Sequence, residues 1–188
     1  MQNFFTSQLD ENTCSIMGYN GDEERVVIPA TLGGKKVTIL FDGLFKNHPE
    51  IRFLKIPSTV TNIGSYLIQG CTRLKSIKLP EDLKEMWDYA FAKSSIEEIV
   101  IPDSVEVIMP YTFKDCKKLK KVVCGKGMKK ICEGAFEGCD KLKEVIYGPE
   151  VEISPKAYDS GVPEFSVHEK AVHTRGYNDF VKREKQEK

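Results

Sequence analysis

One pattern of residues returns along this chain at steps of 23, 23, 22, 23 and 22 residues. Its copies start at Leu40, Ile63, Met86, Ile108, Ile131 and Ile153. Five positions after each start stands a bulky apolar residue: Phe45, Ile68, Phe91, Phe113, Phe136 and Tyr158. Further columns follow, first Ile51, Leu74, Ile96, Leu119 and Leu142, then Leu54, Ile77, Ile99, Val122 and Val145. Two residues on come Ile56, Leu79, Ile101, Cys124 and Tyr147. A last column reads Val60, Leu83, Val105, Met128 and Val151. The short step at Met86 reflects one residue missing between Phe91 and Ile96. No single copy is large enough to close a core. Each buries its apolar side only against the next, and that dictates a stacked solenoid.

The Leu-x-x-apolar-x-apolar piece ends in two apolar residues spaced by two, which places both on one face of a strand. Stacked copies set these strands side by side in one parallel sheet, about 4.8 Å apart. Pro57, Pro80 and Pro102 follow the strand directly and stop the ladder, because proline has no N–H. The Ala-Phe-x-x-Cys piece spaces its apolar residues by three. It predicts short helical or 3-10 turns and loops on the opposite side.

An end copy exposes the core of the stack, so the ends need caps. Residues 1–39 are expected to form an N-terminal β cap, with Val26-Val27-Ile28 as a strand and a reversal at Gly33-Gly34 before Val37-Thr38-Ile39. Residues 40–161 are the repeats, and 162–188 a C-terminal cap and charged tail. Phe165-Ser166-Val167 reads as a last strand. Tyr177, Phe180 and Val181 have the spacing of a short C-terminal helix.

Charge is balanced, 28 basic against 28 acidic residues, so the totals favour neither nucleic acid nor an anionic membrane. No apolar run reaches the length of a membrane span. The first residues lack the basic and apolar regions of a signal peptide. If Met1 is the natural start, a cytoplasmic protein is expected.

The columns resemble the BspA-type leucine-rich repeat, with its Ile-Gly-x-x-Ala-Phe-x-x-Cys-x-x-Leu followed by Ile-x-Ile-Pro-x-x-Val. Ile131 to Val145 and Leu74 to Pro80 carry the likeness best, and it covers roughly residues 26–161. Departures are Ser65-Tyr66-Leu67-Ile68 in place of the usual Ala-Phe, and Gly125 and Gly148 where proline is usual. The resemblance implies a leucine-rich-repeat solenoid that binds proteins, including adhesion to host or matrix proteins from a cell-surface or secreted location. It implies no catalysis and no cofactor.

Candidate chemistry is thin. Cys71, Cys116 and Cys139 share one repeat position, where free thiols pack as small hydrophobes. A Cys116–Cys139 disulfide between adjacent coils is the alternative. Cys124, Cys132 and Cys139 lack the spacing of a zinc site. No nucleophile motif and no phosphate-binding loop is present. A hydrolase or metal protein remains the remote reading.

The informative residues lie between the inward ones of each strand. They form outward columns. Val100, Val123 and Ile146 line up across adjacent coils on a face expected to be wet, near Phe53, Lys55, Lys78, Lys121 and Lys143. Such an apolar strip beside basic residues marks a candidate partner-binding surface. On this reading Val123→Glu leaves folding nearly intact. The functional expectation is a non-enzymatic binding or adhesion module. An intracellular scaffold or self-associating repeat protein is the alternative.

Overall fold

The computed structural model describes residues 3–159 and the backbone of residues 166–167. The N-terminal region holds β1 (Asn3–Gln8), β2 (Thr13–Asn20), β3 (Arg25–Val27), β4 (Thr31–Leu32) and β5 (Lys35–Leu40). The coils then contribute β6 (Phe53–Lys55), β7 (Asn62–Ile63), β8 (Glu85–Met86), β9 (Glu98–Val100) and β10 (Val107–Ile108). They continue with β11 (Lys121–Val123), β12 (Lys130–Ile131), β13 (Glu144–Ile146), β14 (Glu152–Ile153) and β15 (Ser166–Val167).

These strands stack into a solenoid with two parallel ladders where the repeat pattern predicts one. The front ladder is the expected sheet. β3 pairs with β6, Lys55 bridges Lys78, and β9, β11, β13 and β15 continue the order. A second ladder runs through the start positions. It joins β2, β5, β7 and β8, then β10, β12 and β14. The start residues, until now only an apolar column, therefore sit in strands of their own.

The N-terminal cap is β-structured. β1 lies antiparallel on β2. Gly33 and Gly34 both have positive φ and reverse the chain, but the strand returned onto β5 is β4. Val26 instead pairs with Leu54, as if residues 16–37 were a degenerate first coil.

The expected short helical or 3-10 turns are absent among the described residues, and the Ala-Phe segments are runs of turns. Their amides explain why. Gly43, Phe45 and Asn47 donate to the carbonyls of Ser65, Leu67 and Gln69 in the next coil, at 2.7–2.8 Å. Tyr111, Phe113 and Asp115 do the same to Glu133, Ala135 and Glu137. Amides aimed along the stack cannot close helical bonds within their own segment. Two columns of left-handed residues turn them that way. One column holds Gly43, Tyr66, Tyr89, Tyr111 and Gly134; the other holds Asn47, Gly70, Lys93, Asp115 and Gly138. The C-terminal helix expected at Tyr177, Phe180 and Val181 lies outside the described residues.

The core fills the space between the two strand ladders and the ladder of turns that these amides build. Phe45, Ile68, Phe91, Phe113, Phe136 and Tyr158 are buried along its length. Phe91 to Phe113, Phe113 to Phe136 and Phe136 to Tyr158 stack with ring centres 5.2–5.6 Å apart. At roughly 25 cal/mol per Å² of buried apolar surface, burying these side chains is a large favourable term for the stack.

Both strand ladders lapse beside the short coil. No backbone pairing joins β8 to β10 among the described residues. On the front, the ladder stops at Lys78 and resumes at β9, with amide bonds from Ser95 to the Cys71 carbonyl (3.4 Å) and from Glu97 to the Lys75 carbonyl (2.9 Å) across the gap. The turn ladder stays continuous there, with Ile68 bonded to Ala90 and Phe91 to Thr112. The residue missing after Phe91 lies between the turns and the front strand of this coil, whereas the coil from Ile131, also 22 residues long, keeps both ladders.

Candidate partner-binding face

On the front ladder, Val26, Leu54, Ile99, Val122 and Val145 point inward and are buried. The residues on either side of each point outward, as the strand period requires. One outward column aligns Arg25, Phe53, Glu98, Lys121 and Glu144. The other aligns Val27, Lys55, Lys78, Val100, Val123 and Ile146.

The face divides where the ladder lapses. Its N-terminal part is basic and open. Phe53 is 38% exposed, and the Arg25 guanidinium carbon stands 3.7 Å above its ring centre. A cation over an aromatic face is a favourable pair and keeps both groups at the surface. Lys55, Lys75 and Lys78 are exposed beside it.

Past the seam two charge pairs join neighbouring coils. Lys120 binds Glu97 at 2.6 Å and Lys121 binds Glu144 at 2.8 Å. The bond from Lys120 holds the Glu97 carboxyl below its ordinary value. Lys143 is exposed. The apolar column behaves differently from the sequence expectation. Val123 is 1% exposed and Ile146 is 4% exposed, and with half-buried Val100 they form a small apolar cluster separate from the main core. The register is the expected one, but the face is dry here. The backbone of Ile146 also pairs with that of Val167, which extends the ladder into β15. The eight residues singled out in the sequence are thus split. Phe53, Lys55, Lys78 and Lys143 are open, Val100 and Lys121 are half-buried, and Val123 and Ile146 are covered.

The cysteines are structural in geometry. All six are free thiols. Cys71 Sγ donates to the Phe45 carbonyl at 3.3 Å, and Cys139 Sγ to that of Phe113 at 3.0 Å. Burial pushes the Cys71 and Cys124 thiols up to about 12. Among the described residues no cluster of His, Cys, Asp and Glu is arranged to hold a metal ion. No helix among them is long and apolar enough to cross a membrane.

Two features escaped the sequence reading. At the seam a concavity of about 560 Å³ opens, lined by Trp87, Val107 and Met109 together with Lys84, Glu85 and Glu106. Trp87, the one tryptophan of the chain, is 47% exposed there. The second is a row of tyrosines on the turn side, Tyr66, Tyr89 and Tyr111. Both follow from aligning the first and third positions after each start, which hold no regular apolar signal.

With this geometry in place, the repeat can be compared with known families. A family model described as the BspA type leucine rich repeat region matches residues 38–161 in six copies. The chain belongs to the BspA-type leucine-rich repeat family. Its fold is similar to that of a T. pallidum leucine rich repeat protein, at 26% identity and a TM-score of 0.74, over 96% of this chain and 92% of that one. A leucine rich cell surface protein from Faecalibacterium prausnitzii is similar at 25% identity and a TM-score of 0.61, over 84% of this chain and 51% of that one. The pneumococcal vaccine antigen PcpA shares the fold at 21% identity and a TM-score of 0.73, over 91% of this chain and 49% of its own. The chain thus spans about half the length of two of these three. No match was found among curated protein sequences. Leucine-rich repeats of this kind are generally protein-interaction modules.

Proposed function

We propose that this chain is a protein-binding module whose contact face is the front of its first coils, centred on Phe53. The supporting observation is the exposed Phe53 ring held under Arg25 and flanked by Lys55 and Lys78. An aromatic with a cationic rim is the composition of an interface hot spot. Its partner carries an acidic surface with an apolar group for the Phe53 edge. Val100 and Lys143 extend the face across the seam. Val123 and Ile146 pack against Val100 on that part of the face, and Lys121 pairs there with Glu144. The role is binding rather than catalysis, and adhesion at a cell surface is the setting that this reading favours.

The test is retention of partner proteins on the immobilised chain, compared with a Phe53→Ala/Lys55→Glu/Lys78→Glu variant of unchanged melting temperature. The wild type is expected to retain proteins that the variant releases and that moderate salt elutes, since exposed charge pairs are screened. Equal retention by both chains sinks the proposal.

A further inference from the structure

Tyr66, Tyr89 and Tyr111 occupy the third position after three successive starts, and their φ angles are 59°, 56° and 57°. In the flanking coils the same position is Gly43 and Gly134, with φ of 65° and 63°. Glycine takes this conformation without strain, and tyrosine does not. Three successive coils thus carry a strained, bulky residue where glycine suffices elsewhere. Backbone strain of this kind gathers at functional positions.

The rings form one stack. Adjacent centres are 5.0 Å apart, with interplanar angles of 15° and 16°. Both ends of the stack are closed. Lys46 Nζ lies 4.8 Å from the Tyr66 ring centre, and the Tyr111 ring covers the Gly134 backbone, where any Cβ would overlap it. The ring faces are therefore occupied, and what remains free is a straight row of ring edges and phenol oxygens. The rings are half-buried, and none of the three hydroxyls hydrogen-bonds to another group among the described residues. A phenol oxygen both donates and accepts.

We propose that this row binds an extended, equatorially linked hexopyranose chain, one sugar ring to each tyrosine. Such a chain is straight and neutral, carries hydroxyls along both edges, and repeats at close to the 5.0 Å step of the stack. The flanks fit a polyol better than other polymers. Ser65 donates to Asp88 at 2.7 Å beside the row, and Lys114 stands 5.1 Å from the Tyr111 ring centre while bound to Glu137. Carboxylates among the lysines disfavour a phosphodiester backbone. Charged and hydroxylated flanks give an extended peptide no apolar pockets for its side chains. The row lies on the turn side, apart from the front face, so this inference does not depend on the proposed protein partner.

The experiment is calorimetric titration of the full chain with cellohexaose, chitohexaose and a proline-rich peptide. The comparison chain is the Tyr66→Phe/Tyr89→Phe/Tyr111→Phe variant, which keeps the stack and removes the hydroxyls. Saturable binding of at least one oligosaccharide, weakened about tenfold or more in an equally stable variant, is the expected result. Phe53→Ala leaves that binding unchanged. If the triple variant loses its melting transition, Tyr89→Phe alone replaces it, with a smaller weakening in the same direction. The inference is overturned if the wild type binds neither sugar, if the phenylalanine variant binds equally well, or if the peptide alone is bound.

Discussion

Cys116 donates its thiol hydrogen to the carbonyl of Phe91, one coil earlier, with 3.1 Å between sulfur and oxygen. Cys71 and Cys139 make the same bond to Phe45 and Phe113. In the short coil the position is Ser94, whose Oγ lies 3.5 Å from Cys116 Sγ. In the coils that start at Ile63, Met86, Ile108 and Ile131 the column thus holds a small side chain with one donor, while the first coil has His48 there. Cys116→Ser is expected to cost no more than about 1 kcal/mol, because the donor survives. Cys116→Leu is expected to cost about 1–3 kcal/mol through overpacking. Urea denaturation midpoints measure both, and equal tolerance of leucine and serine would show that the column is not packed.

The buried thiols also set a pH dependence. Burial raises Cys71 and Cys124 from 9.0 to about 12. Between those limits the folded chain keeps protons that the unfolded chain has released, so stability falls with rising pH. The contribution is fully present below pH 9 and lost as the pH rises toward 12. Melting temperatures measured upward from pH 8 should decline across this window. A Cys71→Ser/Cys124→Ala variant should decline less steeply. Parallel curves for the two chains would remove the thiols as the cause.

Phe113 stacks on Phe91 at 5.3 Å and on Phe136 at 5.6 Å, and it is fully buried. Phe113→Ala removes both ring contacts and leaves a cavity in the middle of the spine. The expected loss is about 3–5 kcal/mol. Because each coil is held only by its neighbours, the melting transition should also broaden as the two halves uncouple. Calorimetry reports both, and a loss below about 1 kcal/mol would exclude a close-packed spine.

The inward columns were legible because burial in a solenoid repeats with the coil, and Phe45, Leu74 or Val122 needs no partner beyond its own equivalents. The turn segments were not. A spacing of three between Phe136 and Cys139 suits a helix and a run of turns alike. The choice is made by amides such as Phe113 N, which donates to Ala135 O instead of closing a helical turn. A signal was present in the columns Gly43/Gly134 and Asn47/Gly70/Asp115/Gly138, since residues tolerant of positive φ at fixed spacing argue against a helix. At the candidate face, the strand period correctly turned Val123 away from Val122. Period alone says nothing of what covers an outward residue, so exposed Phe53 and buried Val123 looked alike in the sequence. The tyrosine row becomes visible only when third positions are aligned, and there glycine in two coils hides it.

Val123 tests the covered half of the face. It points outward yet is 1% exposed, between Val100 and Ile146. The sequence expectation that Val123→Glu folds normally is therefore replaced. A carboxylate buried in that cluster without a partner should cost at least about 3 kcal/mol. Lys143→Glu, at an exposed position on the same face, should stay within about 0.5 kcal/mol of wild type. Denaturant titration of both variants separates a dry strip from a wet one, and a harmless Val123→Glu would restore the wet reading.

The left-handed columns give a test in both directions. Lys93 holds φ of 56° where the coil before it uses Gly70 and the two coils after it use Asp115 and Gly138. Its side chain is exposed. Lys93→Gly relieves strain on the order of 1 kcal/mol, part of which returns as extra freedom of the unfolded chain. The net is expected to be neutral to about 1 kcal/mol stabilising. Gly134 has φ of 63°, and a Cβ added there would run into the Tyr111 ring. Gly134→Ala therefore adds the strain and displaces the end of the tyrosine stack, for an expected loss of about 2 kcal/mol or more. The pairing matters because both changes act at equivalent kinds of position and only one meets a ring. Opposite signs in the measured stabilities support the left-handed columns as the device that turns the amides along the stack. A gain from Gly134→Ala would mean that the segment after Ile131 does not take the left-handed turn at all.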